Sequence, residues 1–292
     1  MNNHKRLNAG VLVLVLTLAS TACTMNFAVP TTKITTGSTQ TNEISVPMPA
    51  QPQNGAVLNL EFTAGSLTLS PGADETLVSG TSTFNVTEFT PIIETNSDSY
   101  TLQTGQQKLN GMPKFDREFV NQWDLQLADI PLTLNIQAGA YNGSFELGGL
   151  SLQKLTITEG GSDLRLAFSA RNKVAMSSIS LVTGGSTMVL KGLANANFAQ
   201  MTLDAGAGDY TLSFDGELQR DTQVTIDSGM STVRIIVPAQ TNAKVIFEGG
   251  LSSVDTSGDW QQNDNAYTLA GKGPTLIINV KMGVGTLILS TG

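Results

Sequence analysis

The sequence predicts an all-β protein: a stacked, solenoid-like β-repeat array with a small N-terminal β subdomain. Three observations carry that prediction. A unit of two alternating apolar runs joined through a glycine keeps returning, its glycines recur about every 22 residues, and no segment shows helical apolar periodicity.

The unit is clearest in QMTLDAGAGDYTLSF (200–214), where Met201 and Leu203 precede Gly206, and Tyr210, Leu212 and Phe214 follow it. It recurs as LTLNIQAGAYNGSFEL (132–147), KLTITEGGSDLRLAF (154–168), SISLVTGGSTMVL (178–190) and QVTIDSGMSTVRIIV (223–237). KVIFEGGLSSV (244–254) and LIINVKMGVGTLILS (276–290) complete the array, and LNLEFTAGSLTLS (58–70) is an outlying early copy. The equivalent glycines are Gly139, Gly160, Gly184, Gly206, Gly229, Gly250 and Gly283, spaced 21, 24, 22, 23, 21 and 33 residues apart.

Alternation with period two gives each arm one buried face. The glycine between the arms marks a bend that needs φ > 0 or close backbone approach. One rung cannot bury its inward face, so rungs must stack. Each inward side chain then contributes about 1.5–3 kcal/mol when fully buried. An antiparallel meander with glycine turns is the competing architecture.

The N-terminus reads as an export signal over residues 1–22. His4, Lys5 and Arg6 precede an apolar run from Ala9 to Ala19, too short to span a bilayer, and Ser20-Thr21-Ala22-Cys23 follows. Cys23, the only cysteine, stands where a lipoprotein signal places its lipidated residue. Ordinary cleavage after Ala22 is the competing reading, and both give the same first mature residue. The lipid reading implies an extracytoplasmic protein anchored to the membrane; the other implies a secreted one.

Residues 23–43, rich in Thr, Pro, Gln and Asn, read as a flexible tether, although Glu43–Val46 could add an edge strand. Residues 44–120 read as the N-terminal β subdomain, with strands at TLVSGTSTFNV (76–86), TPIIETN (90–96) and DSYTLQTG (98–105), and a loop at 108–119. Residues 121–292 read as the array. QWDLQL (122–127) leads it, with Trp123, Leu125 and Leu127 on one face. The last strand ends the chain, and Lys272 and Lys281 guard it against edge pairing.

Composition narrows the chemistry. After residue 22 there is no histidine and at most one cysteine, which removes His/Cys zinc sites, Ser–His–Asp and Cys–His systems, and disulfide stapling. With 24 acidic and 16 basic residues and no Lys/Arg run after residue 6, a nucleic-acid partner is not expected. No cofactor or metal is expected. GAGD (206–209) lacks a residue of the calcium nonapeptide, and Asp209 reads as a turn acid. Ser151 and Lys154 match SxxK but span a turn between strands, without the partner motifs. Asp204, Asp209, Asp215, Asp221 and Asp227 recur along the repeats as solvated turn positions. Trp260 and Tyr267, on the irregular insertion TSGDWQQNDNAYTLAGKG (256–273), are the candidate surface contacts; the alternative is that Trp260 caps the apolar end of the stack.

GAYNGSFELGGL, GGSDLRLAF and GAGDYTLSFDGEL, together with the leading NQWDLQL, resemble successive rungs of the toast-rack family of extracytoplasmic β-repeat domains. That family includes the C-terminal domain of LiaF-type proteins of the cell-wall-active antibiotic response, and adhesin-like domains. Residues about 44–110 resemble the N-terminal domain that often precedes the array. The resemblance implies a non-catalytic interaction or structural module of the envelope, adhesin-like or modulating a stress response. Its partners would be envelope proteins or cell-wall glycan. A glycan-binding protein or polysaccharide-acting enzyme is the alternative.

Overall fold

The computed structural model describes residues 31–105 and 112–292; the export segment and Cys23 lie outside the described residues. The strands in chain order are β1 (Thr31–Ile34), β2 (Gln40–Pro47), β3 (Ala56–Ala73), β4 (Thr76–Phe84), β5 (Pro91–Asn96), β6 (Ser99–Thr104), β7 (Met112–Phe115) and β8 (Asn121–Ala128). They continue as β9 (Leu132–Glu146), β10 (Leu152–Ala167), β11 (Met176–Lys191), β12 (Phe198–Ser213), β13 (Thr222–Val237), β14 (Thr241–Ser257), β15 (Gln261–Asn263), β16 (Ala266–Leu269) and β17 (Lys272–Thr291). Helix among the described residues is limited to short 3-10 turns.

The chain divides into two units. In the smaller, β1 runs parallel to β7. The larger holds the other fifteen strands in one sheet, ordered β15-β16-β14-β17-β13-β12-β11-β10-β9-β3-β8-β4-β2, with β6 beside β3 and β5 beside β6. From β9 to β13 each strand pairs in parallel with its successor, repeat glycine beside repeat glycine. Parallel registration rules out the meander and gives a stack of rungs. Each long strand runs through its glycine as one element, and from β9 to β13 an arm with alternating buried residues lies on either side. In β12 these are Met201, Leu203 and Ala205 before the bend, and Tyr210 and Leu212 after it.

The returns from β10 to β11 and from β11 to β12 are closed by asparagine. Buried Asn172 accepts from the Leu152 amide at 2.8 Å and donates to the carbonyls of Leu152 and Val174, each at 2.8 Å. Asn195 and Asn197 donate to Phe168 and Val174 in the same manner. A short amide side chain pairs backbone groups that a tight return would otherwise bury unmet.

The physical reason for the repeat glycines differs from one half of the sequence expectation. None of the seven has a left-handed φ. A Cβ on Gly206 would instead lie 2.2 Å from the Gly184 carbonyl oxygen, and one on Gly184 would lie 2.7 Å from that of Gly160. Glycine is needed because each bend nests against the backbone of the rung before it.

The order of the last rungs is also corrected. β17 does not end the stack; it lies between β13 and β14, parallel to both. The insertion folds as the β15–β16 hairpin, whose β16 covers the first arm of β14. Lys281 therefore guards no edge. Mid-sheet, it pairs with Glu248 at 3.8 Å and stands in register with Asp227. Lys272 stands opposite Thr241 at the start of the β17 ladder.

At the other end, β2 is an edge strand on β4, so the flexible reading does not hold for Gln40–Glu43, nor for Thr31–Ile34 in β1. Met112–Phe115, expected within a loop, form β7. β3 pairs with both β8 and β9, so the early strands of the large unit share one sheet with the array. The Trp123, Leu125 and Leu127 face of β8 is buried, with Trp123 edge-on to Phe62 at 5.2 Å.

Candidate contact face at the bend

In-register stacking turns each position of the repeat into a row across the sheet. The residue after the glycine, or after Thr63 at the same position of β3, faces outward. In spatial order that row reads Ala64, Ala140, Gly161, Gly185, Ala207, Met230, Val284, Leu251. Five small residues give way to three large apolar ones. Met230, Val284 and Leu251 are 63, 41 and 81 % exposed, side by side on β13, β17 and β14. Scattered exposed apolar residues are ordinary, but adjacent ones on neighbouring strands form a patch that a partner can dry. Just before the bend, Asp227, Lys281 and Glu248 form a charged row on the same strands, giving the patch a polar border.

Facing inward at the bend is a polar cluster. Glu159 is only 6 % exposed, and its Oε1 accepts from the hydroxyls of Ser162 at 2.5 Å and Ser186 at 2.7 Å. Thr183 bonds Ser186 at 2.6 Å. Glu159 Oε2 and the buried Tyr141 hydroxyl have no hydrogen-bond partner. Burial, followed by the neighbouring Glu159 charge, raises the Tyr141 phenol well above its usual pKa. In the unfolded chain that phenol ionises near pH 10, so folded protein keeps a proton the unfolded chain gives up. The Tyr141 contribution is therefore complete below about pH 10 and is lost above it, by up to about 1.4 kcal/mol per pH unit. Tyr141→Phe should flatten that alkaline decline, measured as the urea midpoint against pH; an unchanged slope would place the proton loss elsewhere.

The sequence-predicted sites fall differently. Cys23 lies outside the described residues. Trp260 and Tyr267 are 8 and 6 % exposed and belong to the hydrophobic core, so they do not present ring faces to a partner. They pack at the end of the stack, where the insertion would otherwise leave apolar rungs wet. Ser151 donates to Asp129 at 2.8 Å, and Lys154 lies within β10. Asp204 and Asp227 are exposed register neighbours, Asp215 accepts from Ser213, and Asp221 caps the Thr275 amide. Two clefts, of about 590 and 480 Å³, each hold a single acid, Glu217 and Glu118. Glu217 is paired with Arg171. Glycosidase chemistry needs two acids across one cleft. Among the described residues, no group of three His, Cys, Asp or Glu is placed to hold a metal, and no helix is long and apolar enough to cross a membrane.

The Met230–Val284–Leu251 patch was visible in the sequence as the residue after each repeat glycine. It goes unnoticed there because chain order puts Leu251 before Val284 and separates all three by more than twenty residues.

No curated protein matches this chain. Among solved structures it is similar to a candidate cell adhesion protein from Clostridium sporogenes, at 17 % identity and TM-score 0.47, covering 87 % of this chain and 100 % of that one. It is similar to a candidate adhesin from Bacteroides fragilis, at 11 % identity and TM-score 0.38, covering 88 % and 99 %. A candidate lipid-binding protein from Parabacteroides distasonis follows at 11 % identity and TM-score 0.30, covering 88 % and 99 %. Residues 35–180, half of the chain, match the N-terminal domain of toast_rack. With that match over its first rungs and the stacked sheet that continues them, the chain belongs to the toast-rack family.

Proposed function

We propose that this protein is a non-catalytic, adhesin-like contact module of the cell envelope, working outside the membrane and held there through Cys23. The observation that supports the reading is the change in the outer bend row from Ala and Gly to Met230, Val284 and Leu251. A stacked core does not require large apolar residues on its outside, so their presence on three adjacent strands is best explained by a partner. Three flexible or branched aliphatic groups with a polar border suit a protein surface better than a sugar ring, which would need an exposed aromatic face. Trp260 and Tyr267 are buried and do not supply one.

The test is retention of the purified chain on intact cells of its own source. Met230→Asp with Leu251→Asp should lower retention by about tenfold or more, since central apolar contacts carry most interface energy. Both positions are exposed, so thermal stability should change by less than about 0.5 kcal/mol. Undiminished retention with an intact fold would reject the contact face.

A further inference from the structure

The two ends of the large sheet are finished differently. The β2 edge carries Pro47 and exposed Glu43, both of which discourage pairing with another strand. At the far end, β16 covers Ala243–Ile246 of β14 and stops. The second arm of β14, GLSSVDTS (250–257), pairs with β17 on one side and with no described strand on the other. It contains no proline and no lysine, and its single charge is Asp255. A protein that caps half of an edge strand and leaves the other half long and regular, with Asp255 as its one charge, has left a template for strand addition.

The arm is also self-complementary in the register centred on Val254. Leu251, Ser253 and Asp255 face outward, whereas Ser252 and Val254 are half-buried on the inner face, with Val254 packed against the core. Directly opposed residues of an antiparallel pair share a face, so a two-fold pair of these arms must match outward with outward. Centring it on Ser253 would set Leu251 against Asp255; centring it on Asp255 would set two carboxylates face to face. Centring it on Val254 sets Val254 against its own copy, Ser252 against Thr256 and Ser253 against Asp255. This joins the apolar interiors of two stacks and opposes no like charges directly.

We propose that the protein self-associates through this edge: the second arm of β14 pairs antiparallel with the same arm of a second copy, in the register centred on Val254. The two sheets become one, with Leu251 opposite Ser257 at the end of the paired arm and with Met230 and Val284 outside it on β13 and β17. Met230 belongs to the patch and not to the arm, so a substitution there lets each proposal fail alone.

Sedimentation equilibrium of the full chain under reducing conditions, which removes any dimer linked through Cys23, tests it with two substitutions at exposed Ser253. Ser253→Asp sets like charges opposite Asp255 twice per dimer and should weaken association by about tenfold or more. Ser253→Lys should tighten it, and high salt should cancel that gain. Met230→Asp, outside the paired arm, should leave the dimer intact while lowering cell retention. A monomer at every concentration up to hundreds of micromolar would overturn the proposal, as would a dimer indifferent to both Ser253 substitutions.

Discussion

Gly206→Val should cost about 3 kcal/mol or more of stability and lower the melting midpoint by roughly 5–10 °C. The new Cβ would stand 2.2 Å from the Gly184 carbonyl oxygen, and that atom is backbone held in a parallel ladder. It cannot swing aside as a side chain would. Relief requires separating two rungs at the bend, which breaks their hydrogen bonds and exposes the inward residues on both sides. Gly229→Val meets the Gly206 oxygen at 2.6 Å and should follow with a smaller loss. The control is Gly185→Ala. Gly185 neighbours Gly184 in the sequence, yet its Cβ would lie 3.5 Å from the nearest backbone oxygen, an ordinary contact. Its change should fall within about 0.5 kcal/mol. Equal losses at Gly206 and Gly185, measured by urea unfolding, would mean that rung nesting is not what selects glycine.

Trp123→Ala should be comparably damaging, at about 3–5 kcal/mol. The indole is fully buried on β8, edge-on to Phe62, and β8 joins β3 to β4. Removing it opens a void where the first rung of the stack meets the antiparallel edge strands. The surrounding backbone is tied on both sides and collapses poorly into the space. Trp123→Phe keeps most of the volume. Because the indole N–H has no partner, this change forfeits no hydrogen bond. It should cost less than half as much. Hydrogen exchange should show the Trp123→Ala loss concentrated in β2, β4 and β8, while β11 and β12 keep their protection. A loss spread evenly over all rungs would contradict that localisation.

Local physics was legible in the chain alone. Alternation around Met201, Leu203, Tyr210 and Leu212 set which side of each strand is wet, and that decision involves only a side chain and its neighbours two positions away. The recurrence of Gly139, Gly160, Gly184, Gly206 and Gly229 set the bend and the stacking, because a bent amphipathic strand has no way to bury its face alone. The burial of Trp123, Leu125 and Leu127 followed from the same period.

Neighbourhood, by contrast, was settled by long-range packing. Strands β14 and β17 carry the same pattern, so nothing local says which lies against β13. The answer depends on the β15–β16 hairpin occupying the far side of β14. That placement moved Lys281 from an imagined edge into the sheet. It brought Leu251 beside Val284, and it left the second arm of β14 with one bare side. Trp260 and Tyr267 show the same limit. An aromatic residue in a polar insertion has the composition of a contact loop, and whether its ring faces solvent or plugs the end of a core depends on which rung it lands on. The contact face and the open edge are thus products of rung order, a long-range choice among locally equivalent strands.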